Sequence, residues 1–223
     1  WQNRPADGRA ACGIVGPMGV GRARFGSGTS GEAWRAHLDD PVAVRRADRL
    51  ADVTGVVAWV EAEALAGRVG VLVLAYEAAP AFDAALAVVW PGGPVPLAWA
   101  ASYAAFPPEP KPTPASALTS APAFPAALEW QAGISPQRFA DDLGTILRAI
   151  SAGDTYQVNY TFPLDTGFGD EPWAWYEAVA AQAAVPFGAC IDTGDAVVMS
   201  LSPELFLERR GRVVTTRPMK VTT

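Results

Sequence analysis

The chain has 223 residues, half of them hydrophobic, which is enough apolar material for one large domain or two small ones. Its formal charge of −6 and pI near 4.8 argue against a nucleic-acid partner, and no apolar run approaches the ~18 residues of a membrane span. No basic-then-apolar leader opens the chain, and Cys12, Cys190 and the single histidine fit no zinc-ligand spacing, so a cytoplasmic protein with reduced thiols is expected.

In chain order, residues 10–31 are rich in glycine (Gly13, Gly16, Gly19, Gly21, Gly26, Gly28, Gly31). They lack both Gly-Lys-Ser/Thr and a Gly-x-Gly-x-x-Gly set between strand and helix. They read as turn and loop, with regular structure beginning near Asp40. Residues 42–44 form a short strand. A helix over 52–66 carries Val53, Val56, Val57, Val60 and Ala64 on one stripe, with Gly67 as its stop. The apolar run 69–75 reads as a buried strand. Residues 76–83 leave it as a loop, with Glu77 a structural hydrogen-bond acceptor, and 97–106 is a further strand. Proline at high density then makes 107–126 a linker, which divides the chain into segments 1–106 and 127–223.

The second segment opens with Ser135-Pro136, an N-cap followed by proline at the first helical position. Phe139, Leu143, Ile146, Leu147 and Ile150 form one apolar stripe, and Gly153 ends the helix. Residues 156–162 alternate strictly: Tyr156, Val158, Tyr160 and Phe162 face one way, Gln157, Asn159 and Thr161 the other. This is the pattern of a half-exposed strand or of a ligand-lining one. Asp170 caps a second helix with Trp173, Tyr176, Val179 and Ala180 inward. Hairpins follow, 187–192 with 196–201 across Thr193-Gly194-Asp195, and 205–208, where Leu205 and Leu207 alternate with Phe206 and Glu208, with 213–216 across a turn at Arg210-Gly211. The fold class is α+β, with antiparallel sheets layered by helices. Glu204 and Lys220 stand at the strand ends of the last hairpin. They are either solvated charges or an acid and a nucleophile held by one element.

The residues around them favour the second reading. Ser202-Pro203-Glu204-Leu205-Phe206 and Thr216-Arg217-Pro218-Met219-Lys220, with Lys220 sixteen positions after Glu204, resemble the chorismate-binding enzymes. Among these the likeness is to aminodeoxychorismate synthase component I. Tyr76-Glu77-Ala78-Ala79-Pro80-Ala81-Phe82-Asp83 and Gly153-Asp154-Thr155-Tyr156-Gln157-Val158-Asn159 are similar to further segments of that family.

The resemblance implies an anthranilate-synthase-like fold in which 127–223 is the first part of the catalytic domain. It implies amination of chorismate to 4-amino-4-deoxychorismate, on the way to p-aminobenzoate and folate, with ammonia from a glutamine amidotransferase subunit. In that reaction Lys220 is the nucleophile and Glu204 the general acid, while Gln157, Asn159, Thr216 and Arg217 bind substrate. Gln157 stands where water-adding relatives carry a basic lysine, and an amide cannot serve as that base. A cavity shared by Gln157, Asn159 and Glu204 is expected. Pro186, Phe187 and Gly188 fall on half of a tryptophan pocket, whose N-terminal half has no recognisable motif here.

Mg²⁺ is expected for the full-length family enzyme, with no metal ligands in this chain. Val221-Thr222-Thr223 stands where the family has Gly-Thr, so a fragment, inactive alone, is expected. Two alternatives stay open. One is anthranilate synthase component I, which the resemblance disfavours because that enzyme has alanine at the lysine position. The other is an inactive chorismate-binding fragment with only a binding or structural role.

Overall fold

The computed structural model describes residues 21–26, 35–89, 93–106, 128–169, 171–183 and 186–218. In chain order the elements are β1 (Ala23–Gly26), β2 (Arg35–Leu38), β3 (Ala43–Ala47), α1 (Leu50–Leu65), β4 (Val69–Leu74), a 3₁₀ turn (Tyr76–Ala81), β5 (Ala98–Tyr103), β6 (Gln131–Ala132), α2 (Pro136–Ala152), β7 (Leu164–Asp165), α3 (Pro172–Ala183), β8 (Phe187–Asp192), β9 (Val197–Ser202), β10 (Leu205–Arg210) and β11 (Val213–Arg217). Among the described residues all strand pairs are antiparallel, and the fold is α+β. Among the described residues, contacts separate 128–169 from a larger unit made of 21–106 with 171–218.

In the larger unit β5 is the central strand of a sheet ordered β3-β5-β4, and all six of its residues are buried. Period-two alternation gives its two faces different work. Ala98 and Ala100 meet Val53, Val56 and Val60 of α1, and their small side chains let the helix lie close. Trp99, Ala101 and Tyr103 face the opposite way, onto Ala23, Leu38 and Ile191 of a second sheet ordered β2-β1-β8-β9. The far face of that sheet presents Cys190, Val197, Met199 and Leu201 to Trp173 and Tyr176 of α3. The unit is thus four layers deep: helix, sheet, sheet, helix.

Polar contacts tie the layers at their rims. The Tyr103 hydroxyl donates to the Gly21 carbonyl, and burial pushes its phenol well above the ordinary range. Arg46 of β3 bonds Asp48 and reaches Asp195 in the β8–β9 turn. Arg22 and Arg24 lie 4.9 Å and 5.1 Å from the centre of the Trp173 ring, and Arg24 also pairs with Glu177.

Several expectations need correction. β1 and β2 fall before Asp40, partly inside the glycine-rich stretch read as loop. Arg22-Ala23-Arg24-Phe25 does alternate, arginines toward α3 and apolar residues toward the sheet interface, but four residues are too few to stand out. β4 lies at a sheet edge, and Leu72 and Leu74 on one of its faces are exposed. The segment expected as linker, 107–126, lies outside the described residues. Strands on either side of it in sequence share one sheet, because β1 pairs with β8.

The smaller unit is built on α2. The Ser135 hydroxyl accepts the Arg138 N–H at 3.1 Å, with Pro136 at the first helical position. Gly153 adopts φ +83°, donating to Ile150 while Asp154 donates to Ala149, a Schellman stop. Residues 156–162 carry the expected alternation but join no ladder among the described residues; the pairing here is the two-residue β6–β7 bridge. Tyr160 and Phe162 lie with ring centres 5.8 Å and 5.9 Å from that of Phe139, so the aromatic face of the segment turns onto α2.

Candidate active site

Ser202 closes β9 and Leu205 opens β10, so Ser-Pro-Glu forms the corner between them. The Ser202 hydroxyl donates to the Glu204 carbonyl at 3.0 Å and accepts the Glu204 N–H at 3.3 Å. Pro203 fixes φ between them, so three residues hold the turn by themselves. Glu204 is exposed.

The β10–β11 register places Leu205 opposite Arg217, which brings Glu204 to the end of the hairpin where β11 finishes. Thr216 and Arg217 are therefore neighbours of that corner, and the Thr216 hydroxyl lies 3.4 Å from the Leu205 carbonyl. Lys220 lies outside the described residues, as does Met219. Gly211 at φ +60° makes the tight turn at the other end.

The simple alternation expected along β10 does not hold. Between Leu205 and Glu208 the register shifts by one residue, a bulge, and Phe206 is left 88 % exposed. Bulges re-aim side chains beside functional corners, and this one lies directly after Glu204.

Gln157 and Asn159 belong to the smaller unit and Glu204 to the larger one. Both amides are exposed and joined side chain to side chain at 3.2 Å, so they share one face as the alternation requires. The expected acceptor role of Glu77 is not found: its carboxylate makes no hydrogen bond among the described residues. It borders an open cleft of about 490 Å³ with Asp48, Leu50 and Pro80.

Phe187 and Gly188 line a cleft of about 220 Å³, small beside the roughly 300–1,000 Å³ of most small-molecule sites. It is lined as well by Phe25 and Gly26 of the neighbouring strand β1, paired with Ala189 and Gly188. Sequence reasoning missed these two because β1 itself was read as loop. Pro186 precedes the strand and does not line the cleft.

Gly188 is fixed by close approach: a Cβ there would lie 2.4 Å from the Tyr176 hydroxyl oxygen but 3.5 Å from the ring carbon bearing it. We expect Gly188→Ala to cost about 1–3 kcal/mol of stability in urea unfolding. Tyr176→Phe in the same chain should restore most of it. An unchanged midpoint for the alanine variant would contradict the packing.

Cys190, buried under α3, has its thiol pushed up to about 12 chiefly by burial, which makes it inert rather than nucleophilic. Among the described residues no three His, Cys, Asp or Glu side chains converge on a metal-sized site. No described helix is long and apolar enough to cross a membrane.

Residues 61–223 match the family described as chorismate binding enzyme. The chain belongs to the chorismate-binding enzyme family. Aminodeoxychorismate synthase component 1 of Klebsiella aerogenes is 30 % identical over 93 residues, 42 % of this chain and 21 % of that protein. Anthranilate synthase component 1 of Thermus thermophilus is 33 % identical over 90 residues, 40 % of this chain and 20 % of that one. Aminodeoxychorismate synthase of Streptomyces griseus is 40 % identical over 75 residues, 33 % of this chain and 10 % of its own length. The matches cover about a fifth of the two component 1 relatives. Within this member of the family the match takes in α2, the two C-terminal β-hairpins and the Ser-Pro-Glu corner.

Proposed function

We propose that this chain carries the nucleophile and the acid of an enzyme that aminates chorismate to 4-amino-4-deoxychorismate. The observation that carries the reading is the hairpin register. Glu204 and Thr216-Arg217 occupy the same end of one hairpin, because Leu205 stands opposite Arg217, and Lys220 follows Arg217 three residues later in the sequence.

In the proposed reaction the Lys220 amine attacks ring carbon 2, both ring double bonds shift, and the 4-hydroxyl departs with a proton from Glu204. Ammonia then adds at carbon 4, both double bonds shift back, and the lysine leaves as the free amine. A free lysine, with a pKa of ~10.4, is mostly unreactive ammonium, so desolvation must lower it. A carboxyl must in turn be buried to stay protonated near neutrality. Glu204 is exposed, so the reading requires further protein over the β9–β10 corner in the working enzyme.

Thr216 and Arg217 would hold substrate from the hairpin, the guanidinium being suited to a carboxylate of chorismate. Gln157 and Asn159 would supply a polar wall that orients the ring without activating water. Among the described residues no three carboxylate, histidine or cysteine side chains come together to hold Mg²⁺. Ammonia would come from a glutamine amidotransferase subunit.

Anthranilate synthase is the second reading, favoured by the likeness to the Thermus thermophilus protein. Lys220 argues against it, since the family's anthranilate synthases are distinguished by alanine there. Product analysis of the full-length protein with chorismate and ammonium salt separates them. We expect 4-amino-4-deoxychorismate; anthranilate with pyruvate as the products would overturn the assignment.

A further inference from the structure

Among the described residues the polar wall on 156–162 has no strand ladder to fix its register, and side-chain contacts decide which face it shows. Its side chains do this against α2. The Tyr160 hydroxyl donates to Asp142 Oδ2 at 2.7 Å, the same oxygen that takes Arg138 Nε at 2.8 Å. Phe139, on the same face of α2 as Asp142, stacks with Tyr160 and Phe162.

A slip of one residue would exchange the two faces and turn Gln157 and Asn159 onto the helix. A slip of two would keep apolar residues against Phe139, because Tyr156, Val158, Tyr160 and Phe162 repeat at that interval. It would bring Val158 or Phe162 to Asp142, and neither can donate a hydrogen bond. Aromatic packing therefore leaves the register open to a slip of two, and the hydroxyl–carboxylate bond closes it.

We propose that Asp142, acting through Tyr160, is a positioning residue that sets the register of 156–162 and thereby presents Gln157 and Asn159 to the substrate. The inference rests on the reading of those two amides as a chorismate-binding wall. Asp142 would act through Tyr160 and not on the substrate; hydrogen bonds from Arg138 and then Tyr160 lower the pKa of its carboxyl.

The test uses the full-length protein. Tyr160→Phe retains the stacking and loses the bond, so KM for chorismate should rise about tenfold while kcat stays within about twofold. Asp142→Ala should match it, and the double variant should be no worse than either alone. Asp142→Asn, whose carbonyl still accepts the hydroxyl although the ion pair with Arg138 is gone, should bring KM back to within about twofold of the parent. A parental KM in Tyr160→Phe, or Asp142→Asn as poor as Asp142→Ala, overturns the inference.

A parent protein that does not turn over chorismate overturns the functional reading instead. The clamp is then decided by phenol titration, read as the difference between parent and Tyr160→Phe. Hydrogen bonding to Asp142 raises the Tyr160 phenol, and Asp142→Ala should return it toward its ordinary value of about 10. A phenol already ordinary in the parent overturns the clamp.

Discussion

Lys220→Ala in the full-length protein should abolish amination, with a loss of roughly 10³-fold or more in kcat, and remove a covalent adduct at the same time. A nucleophilic amine carries the ring during turnover, so acid quench and mass spectrometry should find a chorismate-derived mass on Lys220. Lys220→Arg should be nearly as damaging. Its guanidinium keeps the charge but stays protonated at every working pH and cannot attack. Glu204→Gln keeps shape and loses the donated proton, and should slow the reaction by roughly 10²–10⁴-fold. A purely electrostatic lysine that only holds a substrate carboxylate predicts the opposite order, with arginine a fair substitute. Near-parental rates in Lys220→Arg, with no adduct in the parent, would leave binding as the role of the lysine.

The largest effect on folding should come from Trp99→Ala, at about 3–5 kcal/mol in equilibrium unfolding of the 223-residue chain. Trp99 is 1 % exposed and lies in the sheet-to-sheet interface with Leu38, Tyr103 and Ile191. Removing the indole there opens a cavity between two ladders that cannot collapse without breaking register. The indole N–H has no hydrogen-bond partner among the described residues, so Trp99→Phe should cost distinctly less than Trp99→Ala. Tyr156→Ala, at a residue 92 % exposed, should stay within about 0.5 kcal/mol of the parent and serves as the surface control. A Trp99→Ala chain as stable as that control would contradict face-to-face packing of the sheets.

The sequence was most legible where local chemistry suffices. Ser135-Pro136 and Gly153 bound α2 as their capping roles require, and α1 runs over 50–65 against an expected 52–66. Both C-terminal hairpins fall close to the expected residues because glycine and aspartate turns announce them. Partners distant in sequence were not legible. β1 and β2 are too short to be seen alone, and with them the Phe25-Gly26 wall of the small cleft was lost. The alternation over 156–162 foretold which side chains share a face, yet not that the backbone makes no ladder with the other described residues, since a strand is defined by its neighbour. The β10 bulge was equally hidden, because an inserted residue leaves no mark in a run of mixed polarity. The family motifs, by contrast, are sequence by nature, and they led to the family that residues 61–223 match.

The pairing of β1 with β8 also governs when this protein can fold. Ala23 finds Ile191 only after the intervening chain has left the ribosome, at about 5–20 residues per second, so β1 waits on the order of ten seconds or more for its neighbour. The sheet of β3, β4 and β5 closes between residues 43 and 103 and is complete earlier, with α1 already able to cover one side. Its other side, bearing Trp99 and Tyr103, stays bare until the second sheet arrives. Long loop closures of this kind slow folding and leave a half-built sandwich open to the wrong neighbours. For this chain the hazard in biosynthesis is therefore concentrated in one interval, after β5 is made and before β8 emerges.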